Sequence, residues 1–69
     1  MDNHNELSAN KRSVLELLKK SPILTTTEVA SALKISWNTA EKLMLELTLE
    51  GKVQRMKKAG VNLWLAVKR

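Results

Sequence analysis

After Glu50 the chain carries no acidic residue, while Lys52, Arg55, Lys57, Lys58, Lys68 and Arg69 follow in the last quarter. Residues 1–51 hold six basic and seven acidic side chains, so the whole formal charge of +5 belongs to residues 52–69. A one-signed cluster of this kind is chemistry for a polyanion, nucleic acid ahead of an anionic membrane surface; solvation alone is its other use. Other chemistry is poorly served. The only histidine, His4, has no nucleophile and orienting acid around it, and cysteine is absent, so no catalytic residue and no thiolate metal site is expected. His4 with Asp2 and Glu6 would make at most an adventitious metal site. Gly51 and Gly60 stand alone, so no glycine-rich phosphate loop exists, and no cofactor or small-molecule substrate is indicated.

The 69 residues are enough for one small domain, with 43% hydrophobic and 28% charged residues in a globular balance. No apolar run reaches the roughly 18 residues of a membrane span and no signal segment opens the chain, so a cytoplasmic protein is expected. Residues 1–7 read as a flexible N-terminal segment and residues 8–69 as the domain.

Helix 1 is expected over residues 8–20, with Ser8 as N-cap, Val14, Leu17 and Leu18 on its apolar face, Leu7 extending that face and Pro22 forbidding continuation. Ile23, Leu24 and Thr25 form an edge segment. Thr25-Thr26-Thr27-Glu28 has the form of a capping box opening helix 2, residues 26–33. Lys34 and Ile35 make the turn, Ser36 caps helix 3, and Gly51 stops that helix after Glu50. Residues 53–56 and 63–67 then read as strands around a basic loop, residues 57–62, with Gly60 and Asn62 as turn residues. The inward face of the last strand stays open: Leu63, Leu65 and Val67 compete with Trp64 and Ala66.

The stretch Leu24-Thr25-Thr26-Thr27-Glu28-Val29-Ala30-Ser31-Ala32-Leu33-Lys34-Ile35-Ser36 resembles the helix-turn-helix of bacterial and archaeal winged helix-turn-helix DNA-binding regulators. Thr39-Ala40, Met44, Leu47, Gly51 and Val53 are similar to the recognition helix and the start of a wing, and Arg55 with Leu63-Trp64-Leu65 resembles the closing hairpin. The resemblance covers residues 14–67. It implies an α+β fold of three helices and a small antiparallel hairpin wing. It implies double-stranded DNA as partner, with helix 3 in the major groove, the wing on phosphates and a role in transcription.

With Ala40, Leu43, Met44 and Leu47 on the core face, Trp37, Asn38, Glu41 and Lys42 become the groove-facing set. Asn38 suits adenine, Lys42 guanine or phosphate, and Glu41 a cytosine amino group or plain solvent. Trp37 suits a thymine methyl or sugar, or else leans on Leu33 or the hairpin. Ser36 and Thr39 suit a cap and a phosphate contact. Arg55, Lys57 and Lys58 would meet phosphates, and Lys11 and Arg12 either join them or only cover helix 1. Leu45 and Leu49 lie roughly 140° and 180° from Ala40 at 100° per residue, opposite the core stripe. They pack under Leu7 or form the seam of a homodimer, which would set two helices on a palindromic, nucleoid-associated site. A protein-docking module using that leucine face, and a low-specificity architectural or replication-associated DNA binder, remain as alternatives.

Overall fold

The computed structural model describes residues 3–67, with side chains from residue 9 onward. Its elements are α1 (Asn3–Lys20), β1 (Ile23–Thr25), α2 (Thr26–Leu33), α3 (Trp37–Leu49), β2 (Val53–Lys58) and β3 (Val61–Ala66). α1 begins five residues before the expected start, so Ser8 lies inside the helix and does not cap it. Residues 3–20 contain neither proline nor glycine, and nothing in them stops the helix from extending backward. The expected roles of Asp2, His4, Glu6, Leu7, Lys68 and Arg69 fall outside the described side chains.

Local signals set the boundaries of the other helices. The Thr25 hydroxyl accepts from the Glu28 amide at 3.1 Å and the Glu28 carboxylate accepts from the Thr25 amide at 2.8 Å, closing the capping box. α2 ends with Lys34 in the left-handed region at φ 58°. α3 starts at Ser36, whose hydroxyl oxygen accepts from the Thr39 amide at 3.1 Å. At its far end Gly51 adopts φ 78°, its amide donating to the Thr48 carbonyl while the Lys52 amide donates to that of Leu47. That crossed pair satisfies carbonyls a helix end otherwise leaves unpaired.

The sheet is antiparallel with order β1-β3-β2. The hairpin is longer and tighter than the sequence suggests: Lys58 pairs with Val61, and Ala59 and Gly60, at φ 53° and 78°, form a two-residue turn. Two successive positive φ values match the right-handed twist of the strands, which is why this turn permits pairing to the tip. Lys57 and Lys58 are therefore strand residues and not loop residues, and Asn62 is paired opposite Lys57 and not part of a turn.

Val14 and Leu18 of α1, Leu24 of β1, Val29 of α2, Ala40, Leu43, Met44 and Leu47 of α3, Val53 of β2 and Trp64 of β3 form one core. Trp64 is fully buried, which settles the inward face of β3 as Asn62, Trp64 and Ala66. The indole wins because its N–H finds a partner inside, donating to the Thr26 hydroxyl at 2.8 Å. Leu63 and Leu65 turn outward, half-buried, beside Ile23, Met56 and Val61.

Candidate nucleic-acid interface

α3 presents the first of the expected contact residues. Its N-cap draws Ser36 and Thr39 together: beyond the amide bond, the Ser36 hydroxyl donates to the Thr39 hydroxyl oxygen at 2.8 Å. Asn38 and Lys42 lie one turn apart on the exposed face. At 100° per residue Leu45 and Leu49 continue the same stripe, so this face is polar in its first half and apolar in its second. Leu49 is 88% exposed and Leu45 38%.

Trp37 is half-exposed and lines a cleft of about 410 Å³ between the α2 N-terminus and the hairpin residues Lys57 and Asn62. It thus leans toward the hairpin while leaving an aromatic face open, a surface on which a sugar or base can pack.

Glu41 departs from expectation. It is half-buried, one carboxylate oxygen accepting from the Thr26 hydroxyl at 2.8 Å and the other from the Asn62 side-chain amide at 2.9 Å. Neither a cytosine contact nor free solvation describes it. It is the hub of a polar chain running from the Trp64 indole through Thr26 to Glu41 and on to Asn62. The charge-assisted bonds explain how a carboxylate sits this deep without a cation beside it. The amide orientation of Asn62 follows from the same contact, because its oxygen cannot face a carboxylate. That oxygen is buried and has no hydrogen-bond partner among the described residues.

The remaining acids of α3 are also engaged. Lys11 of α1 bridges Glu46, at 3.4 Å, and Glu50. The hydrogen bond from Lys11 and its charge hold the Glu50 carboxyl below the usual carboxylate range, and the same bond raises the Lys11 ammonium. Lys11 thus clamps α1 to the C-terminal end of α3. With Glu41 and Glu46 turned to internal partners, Lys42 is the exposed charged side chain of α3's first two turns.

The hairpin supplies the other cations. Register puts Arg55 opposite Trp64 and Lys57 opposite Asn62, so both share the sheet face that looks toward α3, whereas Lys58, opposite Val61, lies on the other face. The three expected phosphate contacts are thus split two and one. Among the described residues none of the three forms an ion pair. The polar chain from Trp64 to Asn62 was not foreseen in the sequence, because its members are 15 to 38 residues apart.

No helix among the described residues is long and apolar enough to cross a membrane, and no three His, Cys, Asp or Glu side chains among them group as metal ligands.

No family model matches the chain, and no curated protein matches it. Solved structures do, among them two that superpose over nearly the whole of this chain. The hypothetical protein PyrSV_gp04 of Pyrobaculum spherical virus superposes with a TM-score of 0.84 at 28% identity, over 91% of this chain and 40% of that one. An apo-form double variant of ZitR from Lactococcus lactis superposes with a TM-score of 0.77 at 24% identity, over 94% of this chain and 51% of that one. The chain thus spans about half, or less, of these two structures. Element order, sheet topology and these superpositions together define a winged helix-turn-helix fold, with the β2–β3 hairpin as its wing.

Proposed function

We propose that this domain binds double-stranded DNA and regulates transcription by occupying its site, with α3 in the major groove and the wing on adjacent phosphates. The observation that carries the reading is the shared orientation of unpaired chemistry. Asn38 and Lys42 lie on the exposed face of α3, Arg55 and Lys57 on the α3 side of the wing, and Lys57 lines a cleft with the half-exposed Trp37, while the acids of α3 are bonded within the domain. In this reading Asn38 and Lys42 meet base edges, Ser36 and Thr39 a phosphate, and Lys58 the flank of the wing. The protein acts at the nucleoid as a binding protein and not as an enzyme. A homodimer joined through Leu45 and Leu49 presents two copies of α3 to a palindromic site.

The test is a titration of random-sequence duplex at several salt concentrations. Each phosphate contact removed lowers the log–log salt slope by about 0.9. Arg55→Ala with Lys57→Ala flattens the slope by roughly 2, and Lys58→Ala by less than 1, because Lys58 lies on the far face. Undetectable binding by the unaltered domain at low salt sinks the reading. The exposure of Leu49 then favours a second one, a winged helix that docks another protein through Leu45 and Leu49.

A further inference from the structure

The wing has two halves with different support. β1 pairs with Leu63, Trp64 and Leu65, so the sheet is three-stranded only that far. Beyond it Lys57, Lys58, Val61 and Asn62 form a bare two-stranded ribbon, and a hairpin of that kind is marginal by itself in water. Among the described residues one hydrogen bond joins this outer half to the helices: the Asn62 side-chain amide donating to Glu41 at 2.9 Å. Asn62 is also the cross-strand neighbour of Lys57, so what fixes Asn62 fixes the base of the outermost inward-facing cation.

We propose that the Asn62–Glu41 bond is a strut that sets the angle of the wing against α3, which makes Glu41 and Asn62 positioning residues for DNA. The inference rests on the duplex-binding reading and deepens it. Two contact surfaces on one rigid body gain affinity only when both fit the same duplex at once, and a ribbon free to swing would lose that benefit. The other oxygen of Glu41 is anchored by Thr26, which is held in turn by Trp64, so the strut stands on the core and not on a surface side chain. Asn62 holds this position even though its own carbonyl is left unpaired. An apolar side chain would remove that unpaired oxygen but could not supply the donor to Glu41.

Sign separates this role from a purely electrostatic one. A carboxylate near DNA repels phosphates, so if charge were its whole effect, Glu41→Gln and Glu41→Ala would tighten binding equally. As the foot of a strut, Glu41→Gln keeps the geometry, its amide oxygen accepting from the Thr26 hydroxyl while its amide N–H donates to the Asn62 side-chain oxygen once that amide turns over. Glu41→Ala removes the foot. Asn62→Ala is the gentler probe because Asn62 is not itself a residue of the hydrophobic core and Glu41 keeps its bond to Thr26.

The experiment has two arms on the intact chain. Residual dipolar couplings of the free domain read the orientation of the wing relative to α3. Asn62→Ala is expected to change or broaden it, and Glu41→Gln to preserve it. Duplex titrations are expected to show Asn62→Ala and Glu41→Ala weakening binding about tenfold, with the salt slope down by roughly 1 as the Lys57 contact drops out. Glu41→Gln keeps at least the original affinity. An unchanged orientation in Asn62→Ala overturns the strut whatever happens with DNA. A changed orientation with unaltered affinity and slope overturns its role in binding and leaves the duplex reading standing. Failure of the unaltered domain to bind any duplex overturns that reading, and the positioning role with it, while the couplings still report whether the strut exists.

Discussion

Trp64 and Asn62 sit two residues apart on the same face of β3, and their surroundings have little in common. Trp64 has β1 on one side and β2 on the other, is sealed under three helices, and has its indole N–H satisfied. Asn62 has one neighbouring strand, one bond to a helix and an unpaired oxygen. The inner end of the hairpin belongs to the core. The outer end belongs to whatever the domain meets. Charge divides nearly the same way: Lys11, Glu46, Glu50 and Lys52 sit around the inner region and are paired, while among the described residues Lys57 and Lys58 at the outer end, and Arg55 opposite Trp64 on the exposed edge strand, are not. An economical domain of this size spends its packing on the part that must not move and leaves the cationic part accessible.

The comparison breaks most directly at its stronger end. Trp64→Ala removes the largest fully buried side chain and the bond that the Thr26 hydroxyl accepts from it, with an expected loss of about 3–5 kcal/mol. Against a total stability of roughly 5 kcal/mol for a small domain, about 0–2 kcal/mol would remain, so between a few per cent and half of the variant is unfolded at 25 °C, as circular dichroism and urea titration would show. Asn62→Ala should cost about 1–2 kcal/mol, the net worth of one hydrogen bond to a half-buried carboxylate. Equal losses at the two positions would mean that the outer hairpin is part of the core after all.

A smaller effect separates paired charge from unpaired charge. Glu50 has its carboxyl lowered by Lys11, so the stabilisation is complete above the ordinary carboxylate value and is lost as pH falls through the lowered one. Lys11 is raised, so on the alkaline side the contribution persists through the ordinary lysine value and is lost as pH rises through the raised one. The melting temperature of Lys11→Met should therefore lie below that of the unaltered chain by a constant margin from about pH 6 to pH 9. That margin closes in acid and shrinks in salt. The salt slope for duplex should stay unchanged in this variant; a flatter slope would move Lys11 into the contact surface.

What was legible in the sequence was local. Thr25 with Glu28, Ser36 and Gly51 act on backbone groups within five positions, and α2 and α3 begin and end at or within one residue of where those signals put them. Three features were not. The inward face of β3 depended on which side chain could satisfy its polar atom inside, and the Thr26 hydroxyl that decides it is 38 residues from Trp64. Glu41 looked like a surface acid because its partners, 15 residues before it and 21 after it, meet only in the folded chain. Hairpin length was misread because Ala59 carries no turn signature, yet it adopts the left-handed conformation that glycine or asparagine normally supplies.

That last residue offers the finest test of the two-ended hairpin. An alanine at φ 53° pays roughly 1 kcal/mol of steric strain relative to a residue at ease in the left-handed region. Asparagine followed by Gly60 is the preferred pair for this turn, so Ala59→Asn should stabilise the tip by about 0.5–1 kcal/mol. Where the gain is read matters more than its size. If the outer ribbon opens independently of the core, amide exchange slows at Lys58 and Val61 while the melting temperature barely moves, because the global transition starts from a state whose tip is already loose. If the hairpin folds as one piece with the core, the whole gain appears as a rise of about 2–6 °C in the melting temperature of a domain this small. The first outcome makes the Asn62–Glu41 bond the one restraint on a semi-independent wing. The second removes the distinction between its inner and outer ends.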